Sequence, residues 1–393
     1  MGMSSLNMDD ILASVPAYRD SLRSMKERFL ADAVMIGEIP SPTFAERRLV
    51  EFICNRFTEE GLDNISIDEA ENATGLLPGR TGRRNILLAA HTDRVWNASI
   101  DHAITVSADA LTGPGIADNA LGVAALTTLP SLLSALGIGL DSNIILLGAS
   151  RSMGRGDLAG LRFFTENTKL SIGAGVCLEG IQLGRLSYSS LGMNRCELQV
   201  TTPEERHWQS WSLSGAVSSM TRIIQQILAI QIPQVPKTSI ILGSIQSGSS
   251  YNVPPTRAIL RFELRSEEPG MVTRIREEIE EIIAQAIAEN RIEATLEIIA
   301  RRQPGTIGFS HPMVRQVRAI MAALNIEPQV APSTSELSVL LQNGIPSLTL
   351  GLTEGDNKHR VDETARIEPL FSGLAQVIAS LQTIDRLINH EQD

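Results

Sequence analysis

Residues 85–93, NILLAAHTD, decide the fold. An apolar run from Ile86 to Ala90 ends abruptly in His-Thr-Asp, which suits a strand buried on both faces that delivers polar side chains at its end. The same texture returns in NIILLGAS (143–150), AGVCLEG (174–180) and SLTLGL (347–352). Between these runs lie segments with apolar residues three and four apart. DNALGVAALTTLPSLLSAL (118–136) reads as a helix with Asp118 near its start, and DLAGLRFFTEN (157–167) as another. Further helices are predicted over 312–325 and from 367, and residues 8–60 read as helical with a break at Pro40-Ser41-Pro42. Strands alternating with helices imply an α/β fold of three layers, a doubly wound, mostly parallel sheet covered on both faces. In such sheets binding residues collect where the strands end.

The texture changes near residue 190. RCELQVTT (195–202), a helix over 213–230, KTSIILGSIQ (237–246), RAILRFELRS (257–266), a helix over 271–289 and ATLEIIARR (294–302) spell strand–helix–strand–strand–helix–strand. That order is the ferredoxin-like α+β unit. The predicted organisation is one α/β domain, 1–189 and 304–393, interrupted by an inserted domain at 190–303.

Composition removes several classes. With 34 basic against 45 acidic residues the net charge is −11, which argues against a nucleic-acid partner. Cys54, Cys177 and Cys196 lie too far apart for a metal knuckle and are odd in number, so a reducing, cytoplasmic setting is expected. The first residues, MGMSSLNMDDILASVPAYRD, carry acids where a secretion signal would be basic. The apolar runs NILLAA and SLTLGL are too short to span a bilayer, so no membrane partner is expected.

The candidate chemistry sits at the strand ends. His91 and Asp93 close the first strand, Asp118 precedes a helix, Glu179 closes another strand and His359 follows SLTLGL. Each alone has a bland reading: a polar strand end, an N-cap, a solvated acid, a loop histidine. Together, imidazole and carboxylate at the ends of one sheet suit zinc or a similar divalent ion.

With these blocks in hand, the sequence resembles the zinc exopeptidases and amidohydrolases that include carboxypeptidase G, the aminoacylases, acetylornithine deacetylase and tripeptidase-type aminopeptidases. HTD, GPGIADNALGVAAL, GRGDLAG, CLEG, SGSSYNVPP with FELRS, STSELSVLLQNGIPSLTLG and KHRVDE occur in that family's order over nearly the whole chain. The resemblance implies a two-zinc site in which His91 and Glu179 bind one ion, Asp118 bridges and His359 binds the second. Asp93 would support His91. The insertion would be the lid and dimerisation domain, making a homodimer. Within it His207 would polarise the scissile carbonyl in the neighbouring subunit's site, and Asn252 and Arg265 would lie near the substrate carboxylate. The implied substrate is a small amide or short peptide with a free carboxylate.

One departure matters. Where the family has two adjacent glutamates, a general base and a ligand of the second ion, this chain has Ser152 and Met153 before GRGDLAG. A serine hydroxyl is no base at neutral pH, and a thioether is a poor ligand for zinc. The expectation is therefore one zinc ion at most, and hydrolysis weakened or lost. Two other readings stay open. One is a non-hydrolytic binding or repurposed protein using the same site. The other is a dinucleotide-binding oxidoreductase, in which GRGDLAG cradles a phosphate and Glu179 is the ribose acid.

Overall fold

Every residue of Asn85–His91 is buried, and alternate side chains serve different cores. Ile86, Leu88 and Ala90 join one apolar cluster, while Leu87 and Ala89 join another. A strand with two dry faces cannot show apolar–polar alternation, which is why it reads as an unbroken run. The computed structural model describes residues 8–203, 215–290 and 292–390. The chain forms two compact units, Met1–Ser189 with Thr306–Asp393, and Ser190–Gly305.

The first unit opens with helices α1 (Met8–Leu22), α2 (Lys26–Gly37) and α3 (Arg47–Glu59). A short antiparallel hairpin follows, β1 (Asp63–Ile67) and β2 (Ala73–Leu77), which the apolar pattern did not announce. Its strands are exposed or half-buried along much of their length. Then come β3 (Asn85–His91), α4 (Leu121–Ala135), β4 (Asn143–Ala149), α5 (Ala159–Asn167), β5 (Ala174–Ile181) and β6 (Arg185–Ser187). The stretch Ile116–Ala135 is long and apolar enough to cross a membrane by composition, contrary to the expectation that all such runs are too short. Its most apolar window is 94% buried inside the protein, which makes it a core helix.

The second unit runs β7 (Gly192–Thr201), α6 (Ala216–Ala229), β8 (Thr238–Ser247), β9 (Arg257–Ser266), α7 (Met271–Asn290) and β10 (Glu293–Arg302). The strands pair antiparallel in the order β8-β9-β7-β10, the ferredoxin-like arrangement. Leu198 and Val200 of β7, and Leu260, Phe262 and Leu264 of β9, pack with Ile223 and Ile227 of α6 and Ile275 and Ile279 of α7. Each such fully buried side chain stabilises by roughly 1.5–3 kcal/mol.

The first unit then resumes with α8 (Pro312–Ala323), β11 (Gln329–Val330), α9 (Leu337–Gln342), β12 (Ser347–Thr353) and α10 (Leu370–His390). Its sheet has the order β1-β2-β4-β3-β5-β12-β6-β11. The centre is parallel, with β3 beside β4 and β5, and β5 beside β12. The flanks are antiparallel: β2 against β4, and β6 against β12. The sheet is thus mixed around a parallel centre whose strands are connected by helices.

Candidate metal centre

Because β3, β4, β5 and β12 run the same way, their carboxyl ends share one edge, and register fixes what meets there. His91 lies opposite Ala149, and Glu179 opposite Gly351. Asp118 comes from the loop before α4. That helix starts later than the sequence suggests, at Leu121, and Asp118 (φ −137°, ψ 83°) is non-helical and makes no cap hydrogen bond. The Asp118–Asn119 peptide is cis. The loop is held by a second small sheet, where Ala110–Thr112 pairs antiparallel with Thr364–Arg366.

Asp118 is the hub. Its Oδ1 is 3.2 Å from His91 Nε2 and its Oδ2 is 2.7 Å from His359 Nε2. One donor atom each from His91, Asp118 and Glu179 lie within 4.8 Å of one another, all three residues buried. A tetrahedral zinc with bonds of about 2.0–2.2 Å sets its donors roughly 3.5 Å apart, so this nitrogen-and-two-carboxylate set fits one ion. Among the described residues a second ion finds only His359 and the shared Asp118, and these do not fit it. Burial alone would raise the Asp118 carboxyl, yet the hydrogen bonds of His359 and His91 and the Lys358 charge hold it well below the usual carboxylate range. Burial opposes the charged form of His91, but Asp118 and Asp93 outweigh it and raise its pKa.

Asp93 meets the His91 ring chiefly through its backbone, with its carboxylate further off. Nδ1 of His91 is 3.0 Å from the Asp93 backbone carbonyl and 3.7 Å from the carboxylate. The carboxylate is occupied elsewhere: it accepts from Thr43 Oγ1 at 2.8 Å and from the backbone N–H groups of Ser152 (3.0 Å) and Met153 (2.7 Å). Asp93 thereby fixes the loop that carries Ser152 and Met153. Glu46, fully buried, accepts from the Arg151 N–H at 2.8 Å and pins the same loop. Ser152 is buried, and its hydroxyl has no hydrogen-bond partner among the described residues.

The glycines beside that loop serve packing. A Cβ on Gly156 would meet the Arg151 carbonyl at 2.4 Å, and one on Gly160 would meet the Ser150 carbonyl at 2.2 Å. Their close approaches are to the chain's own backbone, which leaves the phosphate-cradle reading unsupported.

Three residues without a predicted role belong to the site. Glu363, fully buried, accepts from the N–H groups of Ala117 (3.0 Å), Asp118 (3.3 Å) and His359 (2.8 Å), tying both limbs of the Asp118–His359 pair. Lys358 Nζ lies 3.2 Å from Asp118 Oδ1 and 3.4 Å from Glu179 Oε2. Arg185 Nη1 lies 3.3 Å from Glu179 Oε1. Only the block KHRVDE pointed toward two of them. In the second unit, Arg265 donates to Glu263 and Asn252 Oδ1 accepts from Ser250 Oγ at 3.2 Å. His207 lies outside the described residues.

Residues 210–291 match the peptidase dimerisation domain of the M20 family. A Staphylococcus aureus tripeptidase superposes with a TM-score of 0.74 at 18% identity, over 92% of this chain and 99% of that one. A dinuclear metal-binding M20 peptidase of Bacillus subtilis superposes with a TM-score of 0.62 at 15% identity, over 92% and 98%. This chain has the fold of the M20 peptidases, and residues 210–291 match their dimerisation domain. In sequence it is 22% identical over 190 residues to a [LysW]-lysine/[LysW]-ornithine hydrolase of Saccharolobus islandicus, 47% of this chain and 50% of that protein. The chain thus spans about half the length of the curated relatives it matches.

Proposed function

We propose that the chain is an M20-type metallohydrolase-like protein acting on the C–N bond of a small amide or short peptide that bears a free carboxylate, its hydrolysis weakened by Ser152 and Met153. The observation that carries this reading is the convergence of His91, Asp118 and Glu179 donors within 4.8 Å. In it these three residues hold one zinc ion, and His359 marks a second position with too few donors. A bound zinc supplies Lewis-acid activation of water and of the scissile carbonyl.

The chain's own groups do the rest. Asp93 and Glu46 hold the Ser152 loop, and Glu363 holds Asp118 and His359 in register. At the base position Ser152 cannot take a proton at neutral pH, and loss of a general base removes about 10²–10⁴ in rate. Polarisation of the carbonyl by His207, and recognition of the substrate carboxylate by Asn252 and Arg265, are roles drawn from the resemblance. The protein acts as a homodimer, and the three free cysteines agree with a cytoplasmic setting.

A non-hydrolytic binding role is the second reading, favoured by the hydroxyl and thioether at 152 and 153. The test is the Ser152→Glu/Met153→Glu double variant, assayed beside the natural chain on N-acyl amino acids and dipeptides with zinc, cobalt or manganese. The hydrolase reading expects metal-dependent turnover to rise by about 100-fold or more. Substrate bound by the natural chain without turnover supports the binding role. A folded double variant that gains neither metal nor turnover overturns the hydrolase reading.

A further inference from the structure

The Lys358 ammonium bridges Asp118 Oδ1 (3.2 Å) and Glu179 Oε2 (3.4 Å), and Asp118 Oδ1 is the same oxygen that faces His91 Nε2 at 3.2 Å. The other Glu179 oxygen lies 3.3 Å from the Arg185 guanidinium. Two carboxylates thus face two cations, and their charge is balanced without any dication. A divalent ion held by Asp118 and Glu179 would need the same lone pairs at about 2.0–2.2 Å. It would also sit beside a like-charged ammonium in a partly dry pocket, where repulsion is poorly screened. Lys358 is placed to do this by its turn: Asn357 (φ 59°) and His359 (φ 66°) are both left-handed, and Lys358 and His359 reach the two oxygens of one carboxylate. Its side chain is 32% exposed, so it can swing away without opening the core.

We propose that Lys358 is a built-in cation that competes with the metal ion for Asp118 and Glu179, so that the site takes up metal only as this ammonium withdraws. The inference rests on the proposed His91–Asp118–Glu179 metal site and adds its regulation. Removing the ammonium raises zinc affinity by about 10–100-fold, the range over which groups bonded to ligands move metal affinity.

The experiment is calorimetric titration of metal-stripped full-length chain with zinc chloride, together with the bound-zinc count per chain after dialysis. Wild type, Lys358→Met, Lys358→Gln and Lys358→Arg are compared, with folding checked by circular dichroism. The expected result is one zinc per chain bound at least tenfold tighter by the Met and Gln variants, and wild-type affinity for the Arg variant, which keeps the charge. Adding His91→Ala to Lys358→Met then abolishes the tight binding. Equal affinity in wild type and both neutral variants, still lost with His91→Ala, overturns the competition while leaving the metal site standing. No zinc binding by either folded neutral variant overturns the metal site and the competition together.

Discussion

Glu363 shows how much of the site hangs on one carboxylate that accepts from the backbone on both sides of it. It is wholly buried and accepts N–H groups from Ala117, Asp118 and His359. Burial raises its pKa, with the nearby Asp118 charge adding to the effect, while the accepted hydrogen bonds oppose it. Glu363→Ala leaves two buried N–H donors and one half-buried one unsatisfied and should cost on the order of 3 kcal/mol. Glu363→Gln keeps acceptor capacity and should cost less. Urea unfolding of the two variants checks this, and equal losses would mean that the negative charge, which Gln lacks, carries the whole contribution. His91, Asp118, Glu179 and His359 were legible because each stands at or just beyond a strand end or helix start. Glu363 and Lys358 were not, because turning them inward depends on left-handed residues at 357 and 359, which no periodicity reports.

Among the elements, those with strong periods were legible and those without were missed. The four buried runs and the insertion's strand–helix order appear in the structure, whereas the β1–β2 hairpin, half-exposed and without an apolar run, left no signal. α4 starts late because the backbone of Asp118 (φ −137°, ψ 83°) and Asn119 (φ −141°, ψ 41°) is non-helical, which no apolar period reports. In the antiparallel sheet, β7 and β9 are joined by a charged pair opposite each other, Arg195 and Glu263. Burial opposes ionisation of Glu263, but Arg195 and Arg265 outweigh it and lower its pKa. A carboxyl depressed on folding stabilises above its unfolded value of about 4.3, and that contribution fades as pH falls through the lower folded value. The melting-temperature gap between wild type and Glu263→Gln should therefore be widest near pH 7 and close below about pH 4. A gap unchanged down to pH 3 would show that the pair contributes shape and not charge.

Assembly is where the whole molecule can be tested without knowing its substrate. Among the described residues β8 is an edge strand paired only with β9, so one side of its backbone has no partner strand there. Ile240 and Leu242 pack toward the helices, and Ile241, opposite Glu263, turns to the other face; past a register shift after Leu242, Ile245 lies opposite Leu260, and Ile241 and Ile245 are 40% and 52% exposed. On α6, Val217 and Leu228 are exposed as well. Apolar groups this open beside a free edge invite aggregation unless another copy covers them, and the segment matches a peptidase dimerisation domain. A two-fold dimer would cover the same patch on both copies, so one substitution strikes the interface twice. Light scattering on the eluting protein should give a dimer for wild type, and Ile245→Lys should shift it to monomer at low micromolar concentration. The circular dichroism of Ile245→Lys should match wild type, because the side chain lies outside the packed core. A monomeric wild type would overturn dimerisation, and a dimer that survives Ile245→Lys would move the interface away from this strand.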